Sequence, residues 1–243
     1  MPNLRDIISV FRIHLARLRV EAGPFLLAAL VFPTAMYLFA NALRGGAEGE
    51  NRIRFLAGSI VFSLSLTAIS WLGYLLLENR FTGRLKLFAT LPLASSSYVL
   101  GILVFGIVQA MLGSSTLLIV ARLLGARTQL GVLPLTATIL LTMLCLCGLS
   151  VIIATRARSF SEGSLLTDSL GAGLVFLAPV YYSPETVPHA LRIVSEWLPT
   201  ALAAHAVQRA LVGSYAITDL AVLGAMAVIS LSLGFKLMQF REN

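Results

Sequence analysis

Residues 78–101 read ENRFTGRLKLFATLPLASSSYVLG and lie between two long apolar runs. Charge, a glycine, a Leu-Pro-Leu and a serine cluster interrupt the apolar sequence here in amphipathic order. Wound as a helix, the segment places Phe81, Leu85 and Phe88 at i, i+4 and i+7 on one face, with Asn79, Thr82, Lys86 and Thr90 opposite. Pro92 cannot continue that helix, and Ser95, Ser96 and Ser97 can cap the next one. The spacing therefore predicts an amphipathic element between two membrane helices, able to rest on a bilayer or on another protein.

The order Glu78, Gly83, Leu85, Leu87, Leu91-Pro92-Leu93, Tyr98, Gly101 resembles the coupling loop of ABC-2 type transporter permeases. In that family the loop joins the second and third membrane helices on the cytoplasmic side and docks onto a separate ATPase subunit. The family more often follows the glycine with Thr-Leu-Glu, where this chain has Arg84-Leu85-Lys86. The resemblance implies that Phe81, Leu85 and Phe88 form an apolar docking face and that Glu78, Arg80, Arg84 and Lys86 make polar contacts. Gly83 and Pro92 belong to the same coupling set. The plain alternative is an ordinary amphipathic connector.

Composition decides the class. Of 243 residues, 58% are hydrophobic and only 12% are charged, and the mean hydropathy is +0.89. Such a chain is not an ordinary soluble domain and has room for several spans of about 20 residues. The net charge of +7 comes mostly from basic residues beside apolar runs, so it points to anionic headgroups rather than nucleic acid. The expected fold is an all-α polytopic membrane protein. Cys145 and Cys147 sit two apart in one apolar run, face different sides of a helix, and read as small apolar side chains.

Taken in order, residues 1–23 predict an amphipathic interfacial helix. Leu4, Ile7, Ile8, Phe11, Leu15 and Leu18 form a stripe flanked by Arg5, Arg12 and Arg19, which reach headgroups. Ala40-Asn41-Ala42 offers a signal-cleavage pattern, but the basic leader is longer and more ordered than a signal requires. Six spans follow, at 24–43, 55–77, 98–120, 130–155, 164–180 and 216–238, with the coupling loop at 78–97. The whole chain reads as one transmembrane domain. Ser169 and Gly173 make a small-xxx-small pair for tight helix or dimer packing, and Asp168 is an intramembrane acid.

Residues 181–213 are broken by prolines. Pro179, Pro184, Pro188 and Pro199 forbid a continuous helix, and two short ones fit. The first begins near Pro184 or Thr186, and the second is capped by Thr200 and ends at Gly213. Tyr181, Tyr182 and Trp197 are interface-seeking aromatics. The pattern resembles the re-entrant hairpin that ABC-2 permeases carry on the outer side between spans five and six. An even span count puts both termini on one side. That side, with Arg5, Arg12, Arg80, Arg84, Arg156 and Arg158 among others, holds the larger share of the 18 lysines and arginines. Both termini are accordingly expected in the cytoplasm of a cell-membrane protein.

The sequence has no G-x-x-x-x-G-K-[ST] run, nucleophile elbow or H-E-x-x-H pair, so no catalytic role is expected. The resemblance implies a non-enzymatic permease subunit of an ATP-driven exporter, working as a homodimer or with a related permease. It would bind no cofactor or metal itself, ATP and Mg residing on the partner ATPase. Apolar composition favours a hydrophobic or amphipathic cargo of the drug, lipid or glycan class. The alternatives are an ion- or proton-coupled carrier using Asp168, and a non-transport membrane scaffold.

Overall fold

A computed structural model describes residues 4–18, 23, 26–43, 50–84, 95–182 and 188–237, and no strand occurs among them. Helix α1 is Leu4–Leu18. Helix α2 is Phe32–Leu43, entered through a π-helical turn at Leu27–Val31. Helix α3 runs through 50–81, its α-helical halves joined by a π-helical turn at Leu66–Trp71. Helices α4 (Ser95–Leu123), α5 (Val132–Arg156) and α6 (Phe160–Leu177) follow. The short α7 (His189–Glu196) and α8 (Pro199–Leu211) precede α9 (Ile217–Leu237).

Among the described residues, four helices are long and apolar enough to cross a membrane: Asn51–Phe81, Ser97–Leu123, Val132–Arg156 and Ile217–Leu237. Glu162, Asp168 and several serines and glycines dilute α6. Helix α6 also starts earlier than the expected 164. Ser159 caps it by accepting from the Glu162 amide at 3.1 Å, while the Glu162 carboxylate accepts from the Arg158 amide at 2.9 Å. This is the S-x-x-E capping arrangement, and it fixes the helix start by satisfying amides that have no partner within the helix. The expected span end at 180 is shortened as well, because 178–180 form a turn.

Helix α3 is the hub, touching α2, α4, α5, α6 and α8. Hydroxyls and small side chains make this possible. Ser65 donates to the Gly171 carbonyl of α6 at 2.8 Å, and Ser150 of α5 donates to the Ala68 carbonyl. Ala68 lies in the π-helical turn, where the i→i+5 pattern loosens the usual carbonyl pairing and opens an acceptor to a neighbour. Helix α9 sits at the periphery and, among the described residues, packs chiefly on α5 and α8. There Ser230 donates to the Cys145 carbonyl at 3.0 Å. A Cβ on Gly148 would stand 2.6 Å from the Ser230 backbone carbon, so only glycine lets the two backbones approach this closely.

Helix α1 departs from the expected stripe. Val10 and His14 are its buried residues, Ile7 and Phe11 are half-buried, and Leu4, Ile8 and Leu15 are exposed with Arg5 and Arg12. The buried edge lies on α4, where Val10 faces Gly101 and the Phe11 and His14 rings lie 6.4 and 5.9 Å from that of Phe105. Contacts advance one turn on both helices in the same direction, so α1 runs alongside the first turns of α4. The stripe is thus shared between a protein neighbour and an exposed margin, because α4 offers a glycine notch that Val10 fills. Arg19 lies outside the described residues.

Candidate functional site

The end of α3 sets the geometry of the segment singled out by sequence. Thr82 closes the helix, its amide reaching the Glu78 carbonyl at 2.8 Å and its hydroxyl the same oxygen at 2.7 Å. Gly83 then takes φ +78°, a left-handed conformation that glycine adopts without strain. One continuous helix carrying Phe81, Leu85 and Phe88 on one face is therefore corrected. Phe81 belongs to α3 and the chain breaks direction at Gly83. Leu85, Lys86, Phe88 and Pro92 lie outside the described residues.

The flanks of the segment are tied together. Asn79 donates to the Tyr98 hydroxyl at 2.7 Å, and both residues are buried. The pair clasps the end of α3 to the start of α4 on either side of the segment. Glu78 and the more exposed Arg84 form an ion pair at 3.3 Å across the Gly83 turn. Exposed pairs of this kind add little stability but hold local shape. Phe81 is 40% exposed, leaving an apolar ring beside the turn. Arg80 is exposed and its guanidinium lies 5.1 Å from the Phe81 ring centroid, yet it also donates to the Ala154 and Ala157 carbonyls of α5 at 2.5 and 2.9 Å.

The opposite end of the bundle holds the proline-broken region. Pro188 is the N-cap of α7 and Pro199 occupies the first turn of α8. Thr200 does not cap α8 as expected; its hydroxyl donates to the Leu174 carbonyl of α6, and Pro199 fills the start because it needs no amide partner. Helix α8 sinks an alanine face, including Ala203, Ala204 and Ala210, against α3 and α5. Helix α7 instead exposes Ile193, Val194 and Trp197. Pro184 lies outside the described residues. His205 of α8 and Asp219 of α9 meet at 2.5 Å, a contact that no local sequence pattern announced.

Beside this region Met36, Phe39, Phe55, Phe176, Tyr181 and Tyr182 line an apolar cleft of about 210 Å³ between α2, α3 and α6. Pro179 is half-buried just upstream. Both phenols are occupied at its edge. Tyr182 donates to the Leu177 carbonyl at 3.0 Å, and the Tyr181 hydroxyl meets that of Ser59 at 3.5 Å. The lining thus presents rings and methyls rather than free polar groups.

On α6 the sides facing in and out are also now defined. Gly163, Thr167, Gly171 and Val175 face the bundle. Asp168 and Ser169 are exposed, and a Cβ on Gly173 would meet nothing within 4 Å. The small-xxx-small pair therefore packs against no other part of the described chain.

A model of the ABC-2 type transporter family matches residues 7–212. The chain belongs to the ABC-2 type transporter family. It is a multi-pass membrane protein of the ABC transport machinery. The match takes in α1 from Ile7, the Gly83 segment and both broken helices, so these belong to the ABC-2 domain. No curated protein matches the chain.

Proposed function

We propose that this ABC-2 protein is the permease subunit of an ATP-driven exporter, moving a hydrophobic or amphipathic substrate outward with a separate ATPase docked on 78–97. The observation that carries the reading is the clasped base at Asn79 and Tyr98, from which the segment departs through Gly83. A segment whose two flanking helices are tied together can receive a push and pass it on. In this reading α2 and α6 complete six spans around one transmembrane domain. The 18 residues of α6 make a rod of about 27 Å against a hydrocarbon core of about 30 Å. Both termini and the segment face the cytoplasm of the cell membrane, in keeping with the arginine bias, and α7–α8 form the outer hairpin.

A second copy or a related permease covers the outward face of α6. An ionisable Asp168 bordering Ser169 and Gly173 is costly against lipid and is relieved by a protein neighbour. The ring-lined cleft supports an apolar or amphipathic cargo, since it satisfies shape and offers no free hydrogen-bonding group. ATP and Mg reside on the ATPase. Nucleotide-driven closure then favours one arrangement of two packed helix sets over another.

The test is gentle detergent extraction of the tagged chain from its native cell. The expected result is a P-loop ATPase at roughly equal stoichiometry, lost in Phe88→Asp, with the variant still inserted. A preparation that keeps its oligomer but carries no ATPase overturns the reading. The exposed Asp168 supports one competitor, a proton-coupled carrier. Transport that runs on a proton gradient without ATP and stops in Asp168→Asn would establish it instead.

A further inference from the structure

Arg80 was expected to contact a partner, yet its guanidinium, though exposed, is already bonded to another helix of the same chain. One nitrogen donates to two carbonyls, Ala154 and Ala157, at the end of α5. These stand at or beside the helix terminus, where carbonyls lack partners and the dipole favours a cation. Ala157 also opens the connection to α6, only 157–159 long. That corner is stiff, with Ser159, Glu162 and Arg158 forming the cap of α6.

Two further contacts weld α3 to the same corner. Tyr74 and Phe160 meet edge to face with centroids 5.1 Å apart. Gly163 lies against Leu77 and Ala157, so closely that an added Cβ would stand 2.8 Å from a Leu77 methyl and 3.0 Å from the Ala157 Cβ. Arg80 is the polar member of this junction and stands three residues before Gly83. Whatever displaces the segment after Gly83 acts on the end of α3 first.

We propose that Arg80 is a positioning residue that passes displacement of the coupling segment to the α5–α6 corner, so that α6 moves with α3. This rests on the coupling role given above to 78–97. The guanidinium suits the task because one terminal NH2 of its planar, always-charged group directs two N–H bonds to two acceptors at once, whereas the side chain of methionine keeps the length and loses both bonds. Without the bonds, the stroke that reaches α6 for each ATP hydrolysed is reduced.

The experiment compares wild type, Arg80→Lys and Arg80→Met in the intact permease–ATPase complex, measuring ATPase retained, ATP hydrolysed and substrate moved. The expected result, read on the complex that retains its ATPase, is transport per ATP hydrolysed down about tenfold in Arg80→Met and less in Arg80→Lys. A purely structural cap would lower assembly and both activities together, leaving transport per ATP unchanged, and that result overturns the inference. A tether guards against a folding defect. Arg80→Cys with Ala157→Cys, in a Cys145→Ala, Cys147→Ala background, is bridged by a bis-thiol linker and must regain transport per ATP; failure to regain it in assembled complex overturns the link. Absence of any ATPase from the wild-type preparation overturns the coupling reading itself, and the two failures are therefore distinct.

Discussion

Helices α3 and α9 are both strongly apolar, but 72% of the most apolar stretch of α3 is buried inside the chain and only 22% of that of α9. Hydropathy reports that a helix avoids water, and lipid tails satisfy that demand as well as protein does. What separates the two is the supply of small and hydroxyl residues around the helix. Helix α3 carries buried Ala57, Ser59, Ser63, Ser65, Thr67 and Ala68. Its neighbours answer with Ser150 and Gly171. Helix α9 concentrates its contacts on Leu223, Ala227, Ser230 and Gly234, and exposes Val228, Ile229 and Leu233.

The sharpest way to break this contrast is Gly148→Leu. The new side chain would meet the α9 backbone at Ser230, and no flexible end can yield. The expected loss is about 3 kcal/mol, with α9 detached from an otherwise intact hub. It would be read as a lowered thermal midpoint of monodisperse protein in detergent; an unchanged midpoint would refute the α5–α9 contact. Next in size is Leu64→Ala in α3, a side chain with no exposure. Because unfolded helices remain in an apolar medium, mainly the packing term is lost, about 2 kcal/mol. The smallest effect belongs to Ile229→Ala on the exposed side of α9, within about 0.5 kcal/mol on the same assay. Equal shifts for Leu64→Ala and Ile229→Ala would erase the distinction between hub and periphery.

Much of the helical order is legible in the chain. Apolar runs expected at 98–120, 130–155 and 216–238 coincide with α4, α5 and α9, because a run of such length can hide its backbone only as a helix. Proline and glycine punctuation likewise places α7 and α8 on either side of Pro199. The start of α6 is also written in Ser159 and Glu162, a capping pair whose polar residues fit a loop equally well by composition. The Gly83 break is a harder case. Amphipathic spacing runs through the glycine unbroken, and the local left-handed turn competes with it successfully.

The functional segment shows the same division. Its place after α3 and its mixture of charge, glycine and proline stand in the sequence. The bonding of Arg80 to α5 does not, since its acceptors lie 74 and 77 residues away. Nor does the bond from Asn79 to Tyr98, which spans the segment it closes.

By itself, then, the sequence determined the medium and the secondary structure, because transfer from water and backbone satisfaction act residue by residue along a helix. Tertiary structure alone decided which faces meet protein and which meet lipid, and whom Arg80, Ser65 and Val10 touch. The physical reason is that both surroundings are equally apolar, so the choice falls to shape and to hydrogen bonds between distant residues, such as Ser65 and Gly171, 106 positions apart.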